Sequence, residues 1–117
     1  APQTGAEVIM GSSRMKSGTA QKLVLNTLST GVRILRGRCY SNLMIDRPAT
    51  NEKLRNRAVR MVELAAGVQR LAAVQAIRDA DGNVKLATVI ARKKMTADGA
   101  RALLDAHNGN LREVLET

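Results

Sequence analysis

A chain of 117 residues, 44% apolar and 25% charged, can bury one modest core, and with a single aromatic residue, Tyr40, that core must be aliphatic. One cysteine, Cys39, and one histidine, His107, exclude an internal disulfide and give a zinc site no ligand set. No apolar run approaches the ~20 residues that span a bilayer and nothing resembles a signal peptide, so a soluble, cytoplasmic protein is expected.

Residues 5–22 read GAEVIMGSSRMKSGTAQK. This is a small-and-hydroxyl-rich turn carrying two cations that leads straight into an apolar helix. Gly11, Ser12, Ser13, Ser17, Gly18 and Thr19 allow close backbone approach and supply hydroxyl and N–H donors, while Arg14 and Lys16 add charge. The N-terminus of the following helix, with unpaired N–H groups and the positive end of its dipole, would complete an anion cradle. On residue types alone, a loop followed by an N-cap explains the same composition.

The first helix is predicted over residues 18–35, where Leu23, Val24, Leu28, Val32 and Leu35 form an apolar stripe. Gly31 interrupts it at a cost of ~1 kcal/mol relative to alanine, which points to a closely packed backbone there. Gly37 ends the helix, and residues 38–48 form an irregular or extended connection in which Leu43, Met44 and Ile45 require burial and Asp46 can pair with Arg47. Thr50 or Asn51 caps a helix reaching residue 66. Its inner face is Leu54, Ala58, Met61, Val62 and Ala65, its outer face Lys53, Arg57 and Arg60, and Gly67 is its stop.

Short punctuated helices follow. Leu71, Ala72, Ala76, Ile77 and Ala80 line one; Gly82 stops it, and Asn83 caps the next, with Val84, Leu86, Ala87, Ile90 and Ala91 apolar. Thr96 caps a helix with Ala100, Leu103 and Leu104. Gly109 and Asn110 repeat the stop and start, Asn110 and Glu113 having the spacing of a capping box. The segments QAIRDADGNVK and RALLDAHNGNLR echo each other and predict two related helix pairs.

The net charge of +9 raises the question of nucleic acid. The cations are scattered, the aromatic platform for single strands is missing and no zinc-finger or RNA-recognition pattern is present, so solvated helix faces account for the charge. No catalytic constellation emerges: His107 sits at a helix end, and Asp79, Asp81, Asp98 and Asp105 read as cap or surface residues.

The order of residues in 5–22, continued by LVLNTLSTG from Leu23, YSNLMID from Tyr40, ATNEKL from Ala49 and DGNVKL from Asp81, closely resembles the N-acetylmuramic acid 6-phosphate etherases, whose signature is shared with the glucokinase regulatory proteins. Ala6 stands where that family usually has proline. The resemblance implies that this chain corresponds to the C-terminal part of a longer protein. Residues 1–50 would then be the end of a sugar-isomerase-type (SIS) phosphosugar-binding α/β domain. Residues 51–117 would be a connecting helix and a small ubiquitin-associated-like bundle, and the chain taken alone would be all-α.

It further implies a lyase that cleaves the D-lactyl ether of N-acetylmuramic acid 6-phosphate to N-acetylglucosamine 6-phosphate and D-lactate, in peptidoglycan recycling and amino sugar catabolism. The catalytic pair of carboxyl groups would lie upstream, leaving this chain inactive by itself, without cofactor or metal, and part of a homodimer. The residues expected beside the phosphosugar are Ser12, Ser13, Arg14, Lys16 and Thr19. Glu7 would either orient the loop or contact sugar hydroxyls. The competing classes are a non-catalytic sugar-phosphate-sensing regulator and a helical protein-interaction module.

Overall fold

The computed structural model describes residues 1–46 and 51–117. It is helical apart from one short hairpin, with α1 (Lys16–Leu35), β1 (Cys39–Tyr40), β2 (Leu43–Met44), α2 (Glu52–Ala66), α3 (Arg70–Asp79), α4 (Val84–Lys93), α5 (Ala97–Ala106) and α6 (Leu111–Glu116). Two compact units divide the chain, Ala1–Leu35 and Arg36–Thr117. The division expected after residue 50 lies outside the described residues, as do Arg47, Pro48, Thr50 and the start of the ATNEKL segment. In the described part, residues 36–46 already group with the helices that follow.

The first unit is the loop and α1. Residues 8–10 form no strand, and α1 starts two residues before the predicted position, at Lys16. None of its residues is buried. Its polar residues Lys22, Asn26, Ser29 and Arg33 recur at four- and three-residue steps along one stripe. At 100° per residue the apolar positions Leu23, Val24, Leu25, Leu28, Val32, Ile34 and Leu35 fan over roughly 200°, about twice the arc of an ordinary surface helix. Outside its own helix backbone, no atom of the described residues lies within 4 Å of where a Cβ on Gly31 would stand, so the close approach inferred there is not made among the described residues.

In the second unit the stretch predicted as irregular or extended contains an antiparallel hairpin, with Cys39 opposite Met44 and Tyr40 opposite Leu43. Ser41, at φ 51°, opens its two-residue turn with the positive φ that such turns favour. Two-residue strands carry too little alternation to be read from sequence. Ile45 continues the hairpin into the core at 1% exposure, and Asp46 pairs with Arg38 at 3.3 Å across the hairpin ends. Gly37, at φ 62°, lets the chain pass Asn110 so closely that an added Cβ would stand 3.1 Å from the Asn110 Cα.

The core is assembled on α4, which packs on α2, α3, α5 and α6. Val84, Leu86, Ala87, Thr88, Val89 and Ile90 of α4 are all buried, so the helix is covered on every side. Thr88 satisfies its hydroxyl by donating to the Val84 carbonyl at 2.7 Å. Asn51 caps α2 by accepting the Leu54 N–H at 2.9 Å, and Gly67 ends it at φ 67°. Ala58, Val62 and Ala65 are buried as predicted.

The face of α3 matches the expectation at Ala76, Ile77 and Ala80 but not at Leu71 and Ala72, which are exposed. Ala73, Ala76 and Ala80 are buried with Val74 and Ile77 against the core, whereas Leu71 is 86% exposed. Positions 73, 76, 77 and 80 share one side, and Leu71 lies about 160° round the helix from Ala73. Ala73, rather than Leu71 or Ala72, takes the first inward place in the helix.

The echo between the two helix pairs is reproduced in the main chain of their turns at an offset of 27 residues, with different side-chain caps. Asp81 and Gly82 both have positive φ, as do Asn108 and Gly109. The Gly82 N–H donates to Ile77 O at 2.9 Å and the Gly109 N–H to Leu104 O at 2.7 Å. Asn83 then caps α4 through the Leu86 N–H at 3.0 Å. Asn110 caps α6 through the Arg112 N–H at 3.2 Å, and its side-chain amide, rather than its backbone, meets the Glu113 carboxylate at 2.7 Å, so the expected capping box closes between side chains.

Candidate phosphate-loop site

The six candidate residues lie in the first unit, and one carboxylate organises them. The Glu7 side chain reaches the start of α1, where Oε2 accepts the Lys16 N–H at 3.1 Å and Oε1 accepts the Ser17 N–H at 3.0 Å. The next two N–H groups are matched by main chain: Gly18 donates to Ser13 O and Thr19 to Met15 O, each at 3.1 Å. An α-helix leaves its first N–H groups without intrahelical partners, and here those of Lys16, Ser17 and Gly18 are taken, while the Thr19 bond to Met15 is the first rung of the helix ladder. The unpaired donors expected at this terminus are therefore occupied by an internal anion placed at the positive end of the dipole. The local capping rules look one to three residues ahead of a helix, and Glu7 acts from nine residues before Lys16.

A second link lies beside the first. The Lys16 ammonium donates to the Ala6 carbonyl at 2.7 Å, so two consecutive residues, Ala6 and Glu7, are tied to two others, Lys16 and Ser17. Residues 8–15 are closed into a loop by this neck. Inside the loop the Ser12 N–H donates to Ile9 O at 3.1 Å, with Gly11 at φ 84°, the positive value required at the third position of a type II turn. The Ser12 hydroxyl accepts the Arg14 N–H at 3.4 Å. Val8, Ile9 and Met10 stand out from the loop, Met10 at 98% exposure.

The candidates separate into two groups. Lys16 and Thr19 border an open, largely apolar hollow with Thr4, Val8, Met15 and Leu23, of which Ser12, Ser13 and Arg14 are not lining residues. Ser12 is half-buried in the loop, while Ser13 and Arg14 are exposed. Among the described residues the Arg14 guanidinium makes neither ion pair nor hydrogen bond, its backbone N–H alone being engaged. Elsewhere, His107 lies 3.6 Å from Glu113 at the end of α5, and Cys39 faces Met44 across the hairpin with the sulfur atoms 4.0 Å apart.

The two N–H bonds, from Ser17 first and Lys16 second, hold the Glu7 carboxyl below its ordinary value. A carboxyl with a depressed folded value contributes its stabilisation above the ordinary value and loses it as pH falls through the folded one. Protection of the Lys16 and Ser17 amides, taken relative to intrinsic exchange at each pH, is accordingly expected to persist from neutrality down past the usual glutamate range. It should be lost only below the folded value, and be reduced throughout in Glu7→Gln. Equal protection in the parent and in Glu7→Gln would show that the carboxylate does not hold the helix terminus.

No protein-family model matches the chain. Curated proteins do, over nearly its whole length. It is 51% identical over 111 residues to the N-acetylmuramic acid 6-phosphate etherase of Actinobacillus succinogenes, covering 95% of this chain and 36% of the relative. To the etherases of Caldanaerobacter subterraneus subsp. tengcongensis and Escherichia coli O1:K1 it is 50% identical over 115 residues, covering 98% of this chain and 38% and 39% of those proteins. The chain thus spans less than two fifths of the length of these relatives, matching a C-terminal portion of them.

Proposed function

We propose, from this likeness to the N-acetylmuramic acid 6-phosphate etherases, that the chain is the C-terminal part of a lyase. Its reaction would cleave the D-lactyl ether of N-acetylmuramic acid 6-phosphate to N-acetylglucosamine 6-phosphate and D-lactate. The observation that carries the reading is identity of about half the residues along 95–98% of the chain with proteins bearing the etherase name. That name favours catalysis over a purely regulatory sugar-phosphate sensor.

Within that protein, residues 1–50 would close a sugar-isomerase-type domain, and the helices from α2 onward would form a ubiquitin-associated-like bundle. The loop carrying Ser12, Ser13, Arg14, Lys16 and Thr19 would lie beside the phosphosugar, with Glu7 shaping it. Ether elimination requires a base for the proton beside the carbonyl of the opened sugar and an acid for the departing lactate, roles suited to positioned carboxyl groups. Both belong to the part of the protein upstream of this chain. No described helix is long and apolar enough to cross a membrane; the protein is proposed, from the etherase likeness, to act as a cytoplasmic homodimer on a phosphosugar.

Lactate release tests the reading. The full-length protein is expected to liberate D-lactate from N-acetylmuramic acid 6-phosphate, and this chain alone to show no turnover above background. A full-length protein that binds the phosphosugar without cleaving it would replace the lyase by the regulator.

A further inference from the structure

The loop of residues 8–15 carries two cations at its end, Arg14 and Lys16, and the structure treats them differently. The Lys16 stem borders an apolar hollow and its ammonium is engaged by the Ala6 carbonyl at 2.7 Å. The Glu7 carboxylate beside it is likewise engaged, by the Lys16 and Ser17 N–H groups. The Glu7 side chain on the Lys16 and Ser17 backbone and the Lys16 side chain on the Ala6 backbone therefore staple the neck of the loop. Arg14 lies inside the closed segment, exposed, next to Ser12 and Ser13, with its guanidinium uncommitted among the described residues.

We propose that Glu7 and Lys16 are positioning residues that lock the neck of the 8–15 loop, and that Arg14 is the cation this loop delivers to the ligand phosphate. The inference rests on the reading of the loop as part of a phosphosugar site. Chemistry separates the two roles. A guanidinium offers a planar fork of donors that matches two phosphate oxygens, whereas an ammonium already on a carbonyl has part of its donor capacity spent. A clamp formed by residues ten apart in sequence also removes conformational freedom from the segment between them, so the loop reaches the ligand already ordered.

The roles differ in what their loss does to selectivity. Binding of N-acetylglucosamine 6-phosphate and of unphosphorylated N-acetylglucosamine to the full-length protein is compared by calorimetry for the parent, Arg14→Gln, Lys16→Met and Glu7→Gln. Arg14→Gln is expected to weaken the phosphorylated ligand about tenfold or more, the scale of one charge-assisted contact, and to leave the unphosphorylated one within about twofold. Arg14→Lys should recover part of the loss.

Lys16→Met and Glu7→Gln should weaken both ligands in similar proportion, keeping their ratio within about threefold, and should increase proteolytic cleavage inside residues 8–15. Selectivity lost in Lys16→Met but retained in Arg14→Gln would overturn the assignment while leaving the site in place. Selectivity retained in all three variants would overturn the assignment and the phosphosugar reading of the loop together.

Discussion

Leu111→Ala is expected to destabilise the second unit by about 2–5 kcal/mol, a large part of the 5–15 kcal/mol that holds a typical domain. Leu111 opens α6, is 1% exposed and belongs to the same core cluster as Ile45, Val62 and Val89. The helix is only six residues long, too short to persist without its packing, so losing the leucine contact releases both of its buried residues, Leu111 and Val114. Its start is also the place where Gly37 and Asn110 approach most closely, so the hairpin loses a neighbour at the same time. Thermal melting should show a fall of roughly 10–30 °C for a unit of this size. Leu71→Ala is the matched control: removing the same atoms from an 86% exposed position should change stability by no more than about 0.5 kcal/mol. Equal effects at the two positions would mean that α6 does not close the core.

The second large effect concerns α1. A helix with an apolar arc of roughly 200° is suited to cover on two sides, and contiguous exposed apolar surface of that extent marks an interaction face. Self-association through α1 is expected for this chain, as pairing of subunits is proposed for the whole protein. Light scattering over a dilution series should show a concentration-dependent rise in mass for the parent and a monomer for Leu28→Glu, whose new charge falls at the middle of the arc. A folded parent that stays monomeric at every concentration would refute association. Association that survives Leu28→Glu would place the interface on another face.

The starts of α2, α4, α5 and α6 and several helix stops were legible because they are marked by short-range chemistry. Asn51, Asn83, Thr96 and Asn110 are side-chain caps in the structure, and Gly67, Gly82 and Gly109 turn the chain with positive φ just after a helix. The helix-pair echo could be read for the same reason. What could not be read depends on burial or on contacts distant in sequence. Leu71 is an apolar residue that stays outside, and Thr88 is a polar residue that goes fully inside because its hydroxyl finds the Val84 carbonyl one turn back.

The site shows the same limit. Gly11, Ser12, Ser13 and the helix start announced a turn before a helix, and that is what forms. The use of the helix terminus was not visible, because it is filled by Glu7 from across the loop, and Lys16 folds back on Ala6 rather than standing free. Residue types alone allowed a loop with an N-cap as readily as an anion cradle. The geometry shows a stapled loop whose exposed polar side chains are Ser13 and Arg14.

Whether that loop meets the phosphate is decided most directly by a crystal structure of the full-length protein with N-acetylglucosamine 6-phosphate bound. The account predicts phosphate oxygens within about 3 Å of the Arg14 guanidinium or of the Ser12 and Ser13 donors, hydrogen-bond range, with the Glu7 clamp on Lys16 and Ser17 still closed. A phosphate bound elsewhere, more than a water-mediated contact away from residues 5–19, would contradict it.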